Sequence, residues 1–360
     1  MKLVFDIETD GLDASKIWCI VAKDLDTGQI HTYNPDQIQE GLKLLVDSDL
    51  LIGHNILGFD IPVIENLTGI SFKDKKVIDT LVLSRLAKPE RGGHGLKAWG
   101  FNLGFNKGSM EEHGFTKYSE EMLAYCINDV ELNAKVFNNV LKELDGFGSV
   151  SIGIEHAVAI ILKEQEKHGF LFDQVKGMML LAELKERKHE IEETVQKVFK
   201  PKLVKLKTVN PKFKKNGCLS KQGLTDEEFI KILNKPKHVQ LLPFDRCKLQ
   251  EFNLGSRKQI GEYLQDFGWK PRKFTPTGQP IVDESTLNKV KNIPEAQLIS
   301  KFLMLQKRIA QVDSWFKHLS DDQRVHGFVI PNGAITGRMS HAKPNLAQIP
   351  ASYSPYGKDC

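Results

Sequence analysis

Three short acidic segments within residues 1–130 constrain this chain more than any other feature. They are VFDIETDGL (Val4 to Leu12), GHNILGFD (Gly53 to Asp60) and YCIND (Tyr125 to Asp129). The first two adjoin apolar runs of strand length, Lys2 to Ile7 and Leu50 to Gly53, and the third lies in a stretch with helical periodicity. A fold that unites them collects four carboxylates, Asp6, Glu8, Asp60 and Asp129, together with the Tyr125 hydroxyl. Carboxylates gathered at one point repel and raise one another's pKa unless positive charge sits among them. Hard divalent cations with oxygen ligands meet that need, and a two-metal site suits hydrolysis of a phosphodiester.

The residues around these segments read as an α/β front. Ile17 to Leu25 and Gln29 to Tyr33 look like meander partners of the first strand, with a turn at Asp26-Thr27-Gly28. A helix is expected around Gln37 to Val46, and others at Ile61 to Leu67, Asp79 to Leu86 and Ser119 to Leu144. Strands followed by helices give a mixed sheet covered by helices. DGFGSV (Asp145 to Val150) marks a first boundary, so the expected domains are 1–148, a mainly helical 149–320 and a strand- and turn-rich 321–360. Within the middle region, helices are expected at Ile152 to Lys167, from Asp173 to about Phe199, at Ser256 to Phe267 and at Gln297 to His318.

The charge divides along the same line. Residues 1–150 hold 15 Lys+Arg and 23 Asp+Glu, a net of −8, whereas residues 151–360 carry +12. Such a split suits metal chemistry in front and a polyanion behind, although ordinary surface variation has the same appearance. Lys197 to Lys221 contains nine lysines and no acid, with Pro201 and Pro211 breaking periodicity. It reads as a basic insert extending to about residue 242, for a docking partner or with a hairpin. A solvated linker has the same composition. The five cysteines include no C-x-x-C pair, which argues for free thiols and against a zinc site. No run approaches ~18 apolar residues, and the acids in MKLVFDIETD are unlike a signal peptide.

Asp6 and Glu8, at i and i+2 on a strand, face the same side of the sheet. Asp60 opens a helix, where an N-cap is the ordinary role for an aspartate. Tyr125 lies one turn before Asp129, so the two share a helix face, which solvent-facing residues would also do. Asp79 in VIDTLVLSRL is read as a helix cap rather than as a metal ligand.

The ordered set of three segments resembles the DEDD-type 3′→5′ exonucleases, in the tyrosine version that proofreads for family A DNA polymerases. The resemblance implies a ribonuclease H-like domain and two Mg2+ or Mn2+ ions. Asp6 would bridge both ions, with Glu8 and Asp129 completing one site, Asp60 supporting the other and Tyr125 orienting the attacking water. By the same resemblance Thr9 and Leu12 line the pocket of the terminal nucleotide, Leu12 as a wedge beside the last base, unless it is plain core. Asn55 resembles a residue near the substrate, but it lies five positions before Asp60 where the bacterial pattern has four.

In the rear half, ITGRMSHAKPNLAQIP (Ile335 to Pro350) resembles the T-G-R and P-N-L-x-x-I-P segment of family A polymerases. There the arginine reaches the minor groove at the primer terminus, and Arg338 inherits that role, checking pair shape at acceptors common to all base pairs. Asn345 and Gln348 would brace this turn or touch the template–primer. FNLGSRKQIGEYL (Phe252 to Leu264) and LMLQKRIAQVDSW (Leu303 to Trp315) resemble the thumb and its link to the palm. Ser256, as an N-cap, and Arg257, Lys258, Lys307 and Arg308 become candidate DNA contacts, with solvated helix faces as the alternative.

IDTLVLSRL, HGLKAWG and SPYG bring the whole chain close to the replicative polymerases of short-tailed, T-odd-type bacteriophages. That implies a DNA replication protein in the bacterial host cytoplasm, binding single-stranded 3′ ends and primer–template. In some such polymerases a thumb insert recruits a host thioredoxin, so a processivity factor on the basic insert is a further expectation. The palm motifs D-x-S-x-x-E-L-R, K-x-x-x-[FY]-G and H-D-E are not found in these residues. The expectation is therefore an exonuclease and thumb without nucleotide addition, with palm and fingers lost or supplied by a second chain. A stand-alone exonuclease and a non-catalytic primer–template clamp remain as alternatives.

Overall fold

A computed structural model describes residues 1–105, 108, 112–216, 218–234 and 242–360. The chain forms two compact units, one of residues 1–173 with 315–358 and 360, the other of residues 174–314 with 359. These divisions fall at 173/174 and 314/315, so the helix that begins at Ser149 belongs to the first unit.

The first unit is built on a five-stranded sheet. Its strands are β1 (Lys2–Thr9), β2 (Ile17–Asp24), β3 (Ile30–Tyr33), β4 (Leu50–Gly53) and β5 (Lys76–Asp79), in the order β3-β2-β1-β4-β5. The pairs β1–β2 and β2–β3 are antiparallel, while β1–β4 and β4–β5 are parallel. The helices are α1 (Ile38–Asp47), α2 (Asp60–Thr68), α3 (Thr80–Ala87), α4 (Leu96–Asn102) and α5 (Glu120–Glu143). β1 is apolar on both faces because both are covered, as a central strand requires. On one face Leu3 and Phe5 pack with Leu42, Leu45, Ile61 and Ile64 of α1 and α2. On the other, Val4 packs with Leu83, Trp99, Cys126 and Val130 of α3, α4 and α5. Ser119 starts α5 by accepting from Met122 N at 3.2 Å, a side-chain cap of the expected kind.

Phe5 is fully buried in the centre of this layer, and deleting its ring leaves a cavity that the surrounding strands cannot fill. Phe5→Ala is expected to destabilise the chain by about 3–5 kcal/mol, read as a lower urea midpoint with an unchanged slope. A shift under about 1 kcal/mol would contradict the packing described.

Two elements of the sheet unit carry no sequence signal. β5 has four residues, between lysines and a helix, and α4 has seven, so neither is long enough to show a period. Beyond the sheet come α6 (Ser149–His168) and β6 (Phe170–Leu171). α6 is held to the sheet unit by α3 and by His156, whose Nε2 accepts from Asp79 N at 2.9 Å.

The second unit contains α7 (Gln174–Val198), β7 (Lys202–Val209), α8 (Asp226–Leu233), β8 (Phe244–Gln250), α9 (Arg257–Asp266), α10 (Glu284–Leu287) and most of α11 (Pro294–Lys317). Its core stacks Phe199 on Phe252 with centroids 4.4 Å apart, beside Tyr263, Ile260, Leu264 and Trp269. The stretch read as aperiodic and basic forms β7, which pairs antiparallel with β8 into a ribbon. Nearly every residue of both strands is exposed, including Leu203, Leu206 and Leu249. With neither face covered, an alternating pattern has nothing to record, which is why the sequence carries no strand signal there. Residues 217 and 235–241 of this insert lie outside the described residues. The first unit is completed by β9 (Arg324–Val325), which pairs with β6, and by the hairpin of β10 (Phe328–Ile330) and β11 (Ser340–Ala342). Among the described residues no helix is long and apolar enough to cross a membrane.

Candidate active site

The carboxyl ends of parallel strands are where open α/β sheets place their ligand sites, because loops and helix starts diverge there. β1, β4 and β5 are the mutually parallel strands, and each delivers acid at that end. β1 carries Asp6 and Glu8, the loop after β4 leads to Asp60 at the start of α2, and β5 ends on Asp79. The register of β1 against β2 shifts between Glu8 and Thr9, a bulge that re-aims the strand end just past the acids.

α5 packs across β1 and supplies the remaining group. Cys126 on that helix places Sγ 3.6 Å from the Asp6 carbonyl oxygen and 3.7 Å from Asp6 Oδ2. One ligand atom each from Asp6, Glu8 and Cys126 lie within 4.8 Å of one another. Tyr125 precedes Cys126, and Asp129 follows it by three residues and is buried. Asp60 is tied to the same strand, since its Oδ1 accepts from Ile7 N at 3.2 Å, between Asp6 and Glu8. The contacts therefore bring Asp6 and Glu8 together and tie Asp60 to the strand backbone between them. Helical geometry sets Tyr125 and Asp129 beside Cys126.

Burial dominates the electrostatics. It pushes the Asp60 carboxyl up from its ordinary 3.8 to about 7, with nearby Asp79 raising it further while backbone N–H groups, including that of Ile7, pull it down. Burial also pushes the Cys126 thiol well up, with Cys19 and Asp6 adding to the effect. A buried carboxyl that resists ionisation, as Asp60 does, is one that a hard cation would stabilise, and carboxylate oxygens are the donors such ions prefer. The residues present fit divalent metal binding by that donor chemistry.

Around this cluster, Thr9 is buried, and its Oγ1 donates to the Gly11 carbonyl at 2.8 Å. Leu12 is 92% exposed, so it is not core. Asn55 is exposed with φ +66°, and its N–H donates to Asp79 Oδ1 at 2.9 Å. Arg338 is exposed in a turn where Gly337 has φ +73° and the Arg338 carbonyl accepts from Ala334 N at 3.1 Å. In the second unit Ser256 caps α9 by accepting from Gln259 N at 3.3 Å. Arg257, Lys258 and Lys307 are exposed, Lys258 standing 3.9 Å from Glu262. Arg308 departs from the expectation of a surface phosphate contact. It is only 8% exposed, because its position on α11 turns inward beside the core.

Sequence reading misses Cys126, hidden between Tyr125 and Asp129 as an apolar spacer. It also assigns only a capping role to Asp79, which accepts from Leu81 N at 2.9 Å but bonds the loop after β4 as well.

Known proteins share both the sequence and the fold. Residues 231–359 match the model of "DNA polymerase family A". The DNA-directed DNA polymerase of Enterobacteria phage T3 is 31% identical over 99% of this chain and 64% of its own length. That of Escherichia phage T7 is also 31% identical with the same coverage. DNA polymerase I of Helicobacter pylori J99 is 26% identical over 69% of this chain and 32% of its own. Among solved structures, the POL domain of Pol1 from M. smegmatis in complex with DNA primer-template and dNTP shares the fold. It superposes with a TM-score of 0.68 at 16% identity, covering 99% of this chain and 53% of that one. The chain thus spans 64% of the length of its phage relatives, and its residues 231–359 carry a DNA polymerase family A domain.

Proposed function

We propose that the sheet unit is a two-metal 3′→5′ exonuclease acting on DNA, and that the second unit and the Thr336 to Pro350 segment hold primer–template in a replication polymerase. The observation that carries this reading is the convergence of Asp6, Glu8 and Asp60 at the carboxyl ends of parallel strands, with α5 laid across them.

Asp6, Glu8 and Asp129 would hold one cation, and Asp6 with Asp60 the other. When bound, such ions supply Lewis acidity and a water acidic enough to act near neutral pH. The residues do the rest. Water attacks phosphorus, the bond to the 3′-oxygen breaks, and a nucleoside monophosphate leaves. Tyr125 orients the attacking water through its hydroxyl. Leu12, projecting into solvent, is placed to wedge beside the terminal base, and Thr9 closes the pocket behind it. Arg338, on its exposed turn, serves as the minor-groove contact, and Arg257, Lys258 and Lys307 add affinity that falls with salt. The β7–β8 ribbon, basic and exposed on both faces, is the surface on which a processivity partner would dock.

The test is a primer–template and a single strand, each labelled at the 5′ end, incubated with the 360-residue chain, Mg2+ and all four deoxynucleotides. Stepwise shortening without extension is expected. Tight, salt-sensitive binding with no cleavage in Mg2+ or Mn2+ would favour a clamp, and endonucleolytic cuts would overturn the 3′ polarity.

A further inference from the structure

We propose that Asp79 is a positioning residue for the metal site: its carboxylate clamps the loop between β4 and α2 and so sets the place of Asp60. The inference rests on the reading of the sheet unit as a two-metal site.

Asp79 is 2% exposed and ends β5, paired with Gly53 in parallel register. Its Oδ1 accepts from Leu81 N and from Asn55 N, both at 2.9 Å, and its Oδ2 accepts from Leu57 N at 3.1 Å. Only the Leu81 bond is a helix cap. The other two fix the chain between β4 and Asp60. In that loop Asn55 takes the left-handed turn at φ +66°, which asparagine tolerates best after glycine, and the Asp79 bond to its N–H holds the turn in place. Asn55 then passes the constraint on. Its carbonyl accepts from Gly58 N at 2.9 Å and Phe59 N at 3.0 Å, and Ile56 O accepts from Ile61 N at 3.0 Å. Asp60 follows at once and docks on Ile7 N.

The anchor is itself anchored. Asp79 N donates to His156 Nε2 at 2.9 Å, and His156 Nδ1, 2.8 Å from the Ile152 carbonyl, carries the proton in that arrangement. The next residue, Thr80, places Oγ1 2.7 Å from Asn133 Oδ1, one helical turn beyond Asp129 on α5. One dipeptide therefore ties the loop that carries Asp60 to the helix that carries Asp129. A cap alone needs one acceptor, and serine provides it without burying a carboxylate. With both oxygens engaged by backbone N–H groups, Asp79 serves the site by holding its frame and not by ligating an ion.

Two variants separate holding from capping. Asp79→Ser keeps a capping oxygen but is too short to reach the Asn55 and Leu57 amides. Asp79→Asn keeps Oδ1 and replaces the Oδ2 acceptor by an amide NH2. Mn2+ binding to the full chain, followed by electron paramagnetic resonance, counts sites and affinities without reference to activity, and single-strand degradation supplies kcat and KM. For Asp79→Ser, affinity at the weaker Mn2+ site is expected to fall at least about tenfold, the scale of lost ligand support. kcat should fall with it at unchanged KM, and Asp79→Asn should lie between. Wild-type Mn2+ affinity in a folded Asp79→Ser or Asp79→Asn chain would overturn the inference. If the unaltered chain binds no pair of Mn2+ ions, and Asp60→Asn changes nothing, the reading of the site fails and takes the inference with it.

Discussion

Replacing Asp6 and Glu8 together by alanine is expected to abolish metal-dependent shortening of a labelled DNA strand, with the rate down at least about a thousandfold. The reason lies in the strand. Residues two apart on β1 share a face, and their carboxylates meet at one point, with Asp60 bonded to the backbone between them. Under the proposed reading, removing both leaves the remaining acids without the groups that would set the ion positions. Loss of one well-placed charge-stabilising group costs about 3–4 kcal/mol of transition-state stabilisation, and about 4 kcal/mol is a thousandfold in rate. The fold should survive, since β1 is anchored by Leu3, Val4, Phe5 and Ile7, all of which remain. Far-UV circular dichroism and the urea midpoint are expected to stay close to those of the unaltered chain. Affinity for primer–template should change little, because the residues proposed as basic contacts lie elsewhere in the chain. A double variant that still released mononucleotides at the original rate would move the chemistry away from these residues altogether.

Asp60→Asn is expected to have opposite effects on stability with and without metal, and the pH dependence fixes the sign. Burial raises the Asp60 carboxyl from 3.8 to about 7, so between these values the folded chain holds a proton that the unfolded chain releases. Stability therefore falls as pH rises through that window, by linkage, and the penalty is complete above about pH 7. Asparagine carries no such penalty. In metal-free buffer at pH 8 the variant should be the more stable protein, by an amount on the order of a few kcal/mol. Near pH 4 the difference should shrink towards zero. Mn2+ reverses the comparison, since binding to the folded state stabilises it by mass action and the variant lacks one ligand. Thermal unfolding of both proteins at pH 4, 6 and 8, with chelator and with Mn2+, reads all of these at once. A metal-free variant less stable than the parent at pH 8 would show that Asp60 is held by favourable interactions that outweigh its burial.

Much of the sheet unit is legible in the order of its residues. Lys2 to Ile7 and Ile17 to Leu25 announce two strands because a strand buried on both faces must be apolar throughout, and the Asp26-Thr27-Gly28 turn announces Gln29 to Tyr33 as the next. Ser119 announces α5 because a helix start needs an acceptor for its open N–H groups. The i and i+2 spacing of Asp6 and Glu8, and the turn separating Tyr125 from Asp129, are local geometry and follow from residue order alone. The family resemblance likewise rides on short ordered motifs.

What the sequence could not determine was any contact between distant segments that carries no local period. β5 and α4 are too short to show one, and β7 and β8 have both faces in solvent, so nothing selects alternation. Arg308 looks like a surface charge because composition marks arginine as exposed, yet the packing of α11 turns it inward. The bond from Ile7 N to Asp60, the Cys126 thiol against Asp6 and the three amides gathered by Asp79 each join parts of the chain far apart in sequence. Only the folded sheet, with its parallel strands ending side by side under α5, decides that these groups meet. The residues thus determine which chemistry is possible, whereas the tertiary structure decides how each carboxylate is held: Asp60 and Asp79 are almost equally buried, yet one accepts from the Ile7 N–H and the other from three amides around its loop and helix.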